Sequence, residues 1–144
     1  EGYIRTSSYA FDLQDLEDRD VHLTNDAVQD RNDEYGKYEP GNKISFKDFK
    51  KYLMNVKGKN FDVDLVPQIK EAIQDTFDAF WLKFKSMDSA PEATPKPTNQ
   101  FELLGYDFMI DDDCKVYLIE VNTNPCLEIS ACSLLKRLIP TVLD

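Results

Sequence analysis

The run Val116-Tyr117-Leu118-Ile119-Glu120-Val121-Asn122 sets an acid and an amide two positions apart in an apolar stretch. Side chains alternate across a strand, so a strand here presents Glu120 and Asn122 on one face. Strict alternation adds Val116 and Leu118 to that face and predicts a buried sheet surface interrupted by two polar groups. An earlier run, roughly Gln100 to Asp111, is joined to this one by the acidic turn Asp111-Asp112-Asp113-Cys114. Two such runs about a turn read as a hairpin. Centred between Asp113 and Cys114, the hairpin sets Asp107 opposite Glu120. Opposed carboxylates repel, and a divalent cation between them reverses the sign. Asp107, Glu120 and the Asn122 carbonyl oxygen are an all-oxygen set, which suits Mg²⁺ better than zinc. Mg²⁺ is usually held by one or two carboxylates together with phosphates, so a nucleotide is its natural companion. The competing reading is a protonated or hydrogen-bonded acid pair at a sheet end.

Other polar residues carry weaker signals. Arg5 lies in Tyr3-Ile4-Arg5-Thr6-Ser7, a strand-type opening. It reads either as an exposed edge residue or as a clamp for phosphate or carboxylate, which guanidinium matches in bidentate geometry. His22, Thr24 and Asn25 cluster at the end of Val21-His22-Leu23-Thr24, which reads as a brief strand. They cap the following turn or line a nucleotide site. Asp111, Asp112 and Asp113 lack the spacing of a calcium-binding loop and read as a solvated turn. Three cysteines, Cys114, Cys126 and Cys132, form no CxxC pair and fit a reducing compartment. With His22 the only histidine, a zinc cluster is disfavoured.

The elements that must position these groups follow from patterning. Ser45 is a helix cap with Asp48 three residues on, and Phe46, Phe49, Leu53 and Val56 form the buried face of that helix. Lys47, Lys50, Lys51 and Lys57 point elsewhere. The Lys43–Lys59 stretch holds six bases and one acid, a solvated face or a docking patch for an acidic partner. A longer helix is predicted from Leu65 to Phe84, capped by Asp64, with an aromatic stripe including Phe77, Phe80, Trp81 and Phe84 read as core. A flexible Pro-rich loop is expected over 86–99, and a last helix from Ser130 to Ile139, stopped by Pro140.

The whole is 144 residues with a net charge of −10 and 42% apolar residues, the balance of a soluble globular domain. The acidity argues against nucleic-acid binding, and no apolar run reaches the roughly 18 residues of a membrane span. Between Asp12 and Glu39 ten acids face only Arg19, Arg31 and Lys37 among the bases.

Four stretches, in order and across nearly the whole chain, resemble the tubulin–tyrosine ligase family. They are Tyr3 to Ser8, Val21 to Asn25, Phe101 to Asp111 (FELLGYDFMID) and Leu118 to Pro125 (LIEVNTNP). The resemblance implies an α+β, ATP-grasp-like C-terminal subdomain, with an antiparallel sheet and packed helices. The rest of the catalytic domain is expected before Glu1, and residues 1–144 alone are expected to fold marginally and lack activity. It implies an ATP-dependent ligase that adds an amino acid to tubulin through an acyl phosphate. Asp107, Glu120 and Asn122 then hold Mg²⁺, with Asp107 also facing the nucleotide. Arg5 and Glu120 become catalytic, and His22, Thr24 and Asn25 line the nucleotide and substrate cleft. Lys47, Lys50, Lys51 and Lys57 are the implied contact for an acidic tubulin tail. The implied setting is cytoplasmic and cytoskeletal, with cilia or basal bodies included. Tyr35 to Asn42 looks closer to a tyrosine-adding enzyme, whereas Asn122 to Leu127 looks closer to glutamate- and glycine-adding relatives, and the balance leans to tyrosine. Two other readings stand beside it: a catalytically inactive ATP-grasp module that binds tubulin, and an unrelated acidic interaction domain.

Overall fold

A computed structural model describes residues 2–87, 101–130 and 133–143. The elements run β1 (Tyr3–Arg5), α1 (Arg19–His22), α2 (Asp26–Gln29), β2 (Lys43–Ser45), α3 (Phe46–Tyr52), α4 (Val66–Met87), β3 (Gly105–Ile110), β4 (Val116–Asn122) and α5 (Ser133–Leu143). β1 pairs with β2 and β3 with β4, both antiparallel. The mixture of helices and small antiparallel sheets is α+β. Among the described residues no helix is long and apolar enough to cross a membrane.

Two compact units divide the chain. Unit one comprises Glu1–Lys57 and Leu127–Asp144, and unit two is Gly58–Cys126. In unit one Leu53, Leu135 and Leu138 are buried beside four buried polar residues, Ser8, Gln29, Asn42 and Lys43. A buried polar group is costly unless bonded, and among the described residues none of these side-chain atoms lacks a partner. Gln29 Oε1 accepts from Ser8 N at 2.8 Å and Asn42 Nδ2 at 3.3 Å, while Nε2 donates to the carbonyls of Asp20 at 2.8 Å and Leu23 at 2.6 Å. Lys43 donates to both oxygens of Asp26, at 2.6 and 2.8 Å. Burial pushes the nearby Tyr35 phenol up, and the Asp26 carboxylate adds to that against the Lys43 ammonium.

Several elements depart from their sequence expectations. Val21 to Thr24 is not a strand. Asp18 caps α1 by accepting from Asp20 N, and the Asp20 carboxylate lies in the first turn, where negative charge favours the helix. Ser45 does cap α3, accepting from Asp48 N, but α3 widens into a π-turn over Leu53–Lys57. That widening rotates Val56 off the helical face and leaves it 60% exposed.

Asp64 is not the cap of the long helix. A π-turn over Phe61–Leu65 precedes α4, and Asn60 caps it through Asp62 N. Asp64 instead returns its carboxylate to Asn60 N at 2.6 Å. Phe61 and Leu65 of that turn are the buried anchors of unit two, with Cys114. Phe77, Phe80 and Trp81 are exposed rather than core. Ser86 and Met87 still belong to α4; the remainder of the expected Pro-rich loop, Gln100, Cys132 and the Phe84 side chain lie outside the described residues. α5 begins at Ser133 and carries Pro140 within it. An interior proline lacks an N–H and crowds the carbonyl four residues back, yet α5 continues past Pro140 to Leu143.

Candidate functional site

In unit two the hairpin opposes Asp107 to Glu120, as the spacing predicts. The route is different. Near the turn Ile110 faces Val116, Met109 faces Tyr117 and Phe108 faces Leu118; beyond it Asp107 faces Glu120 and Gly105 faces Asn122. Ile119 is the extra residue of a β-bulge, in which two residues of one strand oppose one of the other. The bulge shifts the phase of β4. Val116 and Leu118 therefore fall on the half-buried face with Tyr106, Phe108 and Ile110, while Asp107 and Glu120 are exposed. The expectation that Glu120 shares a face with Val116 and Leu118 on a buried sheet is thus corrected. The acids sit on the outward face, where ionised carboxylates keep their hydration and a ligand has access.

Asn122 ties the pair together. Its Nδ2 donates to Glu120 Oε1 at 3.1 Å and to Asp107 Oδ2 at 3.3 Å. A shared amide donor offsets the repulsion between the two carboxylates. A half-turn of the same amide presents Oδ1 instead, since the two ends are nearly isosteric. The three residues can therefore stand as a self-bonded polar group or as three oxygens toward a cation. The donor chemistry fits a hard divalent ion such as Mg²⁺. Among the described residues no group of three His, Cys, Asp or Glu side chains is arranged for a metal.

The supports of this group come from both ends of the hairpin. A Cβ on Gly105 would lie 2.9 Å from Pro125 Cβ and 3.7 Å from Asn122 Cβ, so only glycine lets the segment after Asn122 fold against β3. At the other end Asp111 is no idle solvated residue. Its Oδ1 accepts from Asp113 N at 3.0 Å and Lys115 N at 2.8 Å, and Oδ2 from Tyr117 OH at 3.1 Å. The Lys115 backbone N–H, with lesser help from the Tyr117 hydroxyl and the Asp113 N–H, holds the Asp111 carboxyl below the usual range. The turn then lets Cys114 adopt a left-handed φ of 64°.

α4 carries the hairpin's other face. Gln68 Nε2 donates to Cys114 O at 3.1 Å and Gln68 Oε1 accepts from Val116 N at 3.0 Å. Thr76 Oγ1 lies 2.8 Å from Tyr106 OH. Neither Gln68 nor Gln29 is visible as a key residue in the sequence, where a lone Gln reads as surface.

Unit one holds the other candidates. Arg5 ends β1 opposite Lys43, is exposed, and lies 5.9 Å from the Tyr3 ring centroid. His22 belongs to α1. Its Nε2 is 2.6 Å from Asp15 O, and because a carbonyl only accepts, that nitrogen is the protonated one. Phe11 meets the ring edge-on at 5.3 Å. Asn25 starts α2, but its side chain makes no capping bond, which leaves the amide available. Thr24, part-buried, precedes it. Of the lysine patch, Lys43 is withdrawn into the interior by Asp26 and Lys51 pairs with Asp48 at 3.0 Å. Exposed Lys47 keeps its place on the outward face.

Comparison with known proteins gives a consistent result. The model of the Tubulin-tyrosine ligase family matches residues 1–144. The chain is 32% identical to Tubulin glycylase 3B of Tetrahymena thermophila over all of its length, covering 11% of that protein. It is 34% identical over 91% of its length to Probable tubulin polyglutamylase TTLL9 of Rattus norvegicus, covering 26% of it. It is 36% identical over 88% to Probable tubulin polyglutamylase TTLL2 of Mus musculus, covering 22%. The chain thus spans well under a third of the length of these relatives.

Proposed function

This chain belongs to the tubulin-tyrosine ligase family, and from that premise we propose that it is part of an ATP-dependent ligase of the ATP-grasp type that joins an amino acid to a carboxylate of tubulin. The observation that carries the reading is the convergence of Asp107 and Glu120 on Asn122 at the outward face of the hairpin. A solvent-facing pair of acids, kept together by a reversible amide, is a poor structural device and a good cation cradle.

In this reading Asp107, Glu120 and the Asn122 carbonyl oxygen hold Mg²⁺, which when bound neutralises phosphate charge. The acceptor's carboxylate oxygen bonds to the γ-phosphorus of ATP as the β–γ bridging bond breaks and ADP leaves. The amine of the incoming amino acid then forms the amide bond as inorganic phosphate leaves. Arg5 contributes a fixed positive charge to anion binding. Thr24 and Asn25 supply uncommitted polar groups for nucleotide or substrate, and His22 offers Nδ1. Lys47, Lys50, Lys51 and Lys57 serve an acidic tubulin surface, and a cytoplasmic, cytoskeletal setting follows from the substrate.

The donor is the finer question. The Tyr35–Asn42 segment favours tyrosine. The Asn122–Leu127 segment favours glutamate or glycine, and the relatives' names, a glycylase and two probable polyglutamylases, support the same pair. Glutamate or glycine is the donor we put first. The test incubates the full protein with Mg-ATP, tubulin and labelled Glu, Gly or Tyr in parallel. One amino acid should be incorporated, and Glu120→Gln should cut the rate by roughly a hundredfold or more, the scale of several kcal/mol of lost charge stabilisation. Nucleotide binding without incorporation of any donor would support a catalytically inactive tubulin-binding module instead.

A further inference from the structure

The segment between β1 and α1 turns its large apolar side chains outward. Tyr9 is exposed, and Phe11, Leu13 and Leu16 are 70%, 67% and 70% exposed. A single exposed apolar residue is ordinary. Several in one short loop, rimmed by charge, mark an interaction surface.

The loop has its shape without a partner. Ser7 Oγ donates to Tyr9 O at 2.7 Å. Asp12 Oδ1 accepts from Gln14 N at 2.8 Å, and Asp15 Oδ1 from Glu17 N and Asp18 N, both at 3.2 Å. Two further ties converge on α1: Phe11 meets the His22 ring edge-on at 5.3 Å, and Asp15 O accepts from His22 Nε2 at 2.6 Å. Leu13 lies in the short stretch closed between those two contacts. A loop already held in place loses little freedom when a partner arrives.

Charge decides what the partner is. From Tyr9 to Asp20 there are five acids, Asp12, Asp15, Glu17, Asp18 and Asp20, against Arg19 alone. Asp12, Asp15 and Glu17 are exposed beside the apolar side chains. The net charge of −10 adds a long-range field of the same sign. A second copy, an acidic peptide and an anionic lipid surface are all repelled. We propose that this loop docks a basic amphipathic segment of a partner protein. Its apolar side chains pack on Phe11, Leu13 and Leu16, and its Lys or Arg side chains meet Asp12, Asp15 and Glu17. The proposal does not rest on the ligase reading, because binding and incorporation are measured separately.

The test is fluorescence anisotropy of the full protein with a labelled amphipathic helical peptide of Leu and Lys. It should bind saturably and more weakly as salt rises. Leu13→Ser/Leu16→Ser should weaken binding at least tenfold, and Glu17→Gln severalfold at low salt. A peptide of Lys alone should bind at least tenfold more weakly, and one of Leu and Glu should not bind. Val56→Ser/Val63→Ser, an equal kind of change at exposed residues elsewhere, should leave affinity unchanged. Should the double variant fail to fold, Leu13→Ser alone should weaken binding severalfold. Absence of saturable binding overturns the proposal, as does wild-type affinity in a double variant with wild-type circular dichroism. So does an equal loss in the control pair or equal binding of the Lys peptide. Self-association, or binding to neutral phosphatidylcholine vesicles, that is lost in Leu13→Ser/Leu16→Ser also overturns it, by assigning the loop to a second copy or to lipid.

Discussion

Asp111 shows how one carboxylate can be read wrongly from composition. Three consecutive Asp residues look like a solvated turn, yet one of them accepts three hydrogen bonds and sets the geometry of the next four residues. Its carboxyl is held below the usual range by those donors. A group whose folded value is lowered stabilises the fold fully above the unfolded value, about 3.9, and that contribution is lost as pH falls through the lowered one. Asp111→Asn should therefore lower Tm at neutral pH, and its Tm should fall less than wild type on acidification from about pH 4 to 2. Thermal melts across that window check it; parallel curves would sink the idea. Gln68 makes a second case. Gln68→Leu leaves Val116 N–H and Cys114 C=O without their side-chain partner, at a cost of roughly 1–3 kcal/mol, measurable by denaturant unfolding. No local pattern marks either role, because both depend on partners distant in space or on the shape of a turn.

The hairpin is the element in which sequence and structure agree most closely and differ most instructively. Pairing of Asp107 with Glu120 is legible from the turn, and so are Ser45 as a cap and the existence of α4. The face on which the acids lie is not, because a bulge has no periodicity signature and strict alternation runs straight through it. α1 was hidden for a related reason: four residues are too few for a helical period, so Val21, Leu23 and Thr24 speak for a strand. Gly105 should be the element's most sensitive position. Gly105→Ala drives a methyl to within 2.9 Å of Pro125 Cβ, and such overpacking typically costs about 1–3 kcal/mol. It should also move Asn122 away from the two acids and reduce incorporation more than the stability loss explains. Chemical denaturation with parallel labelling assays separates the two effects.

For the molecule as a whole, the division into two units is the organising fact. Unit one is organised by buried amides and an ion pair, and unit two by Phe61, Leu65 and Cys114 beneath a helix-backed hairpin. Among the described residues of unit one, the buried apolar side chains Leu53, Leu135 and Leu138 are joined by a buried polar network that shares the work of holding the unit. Gln29→Leu removes partners from Ser8 N, Asn42 Nδ2 and two carbonyls at once. It should destabilise unit one by roughly 2–4 kcal/mol, more than one buried unsatisfied group costs. Hydrogen exchange should show lost protection over residues 2–57 and unchanged protection over β3 and β4. Loss throughout both units would contradict a separate network. The membership of Arg5, His22, Thr24 and Asn25 in one unit and of Asp107, Glu120 and Asn122 in the other was not readable from spacing, since all are simply polar residues at the ends of short apolar runs.

The extra residue at Ile119 has a consequence for how this strand can change length over evolutionary time. It is slack. Loss of Leu118 or Ile119 straightens β4 yet still leaves Asp107 across from Glu120, with an aliphatic residue facing Phe108 either way. Loss of Val121 takes up no slack and turns Asn122 toward Tyr106, on the far side of the ribbon. Single-codon deletions should therefore be tolerated just before the acid and lethal to the group just after it.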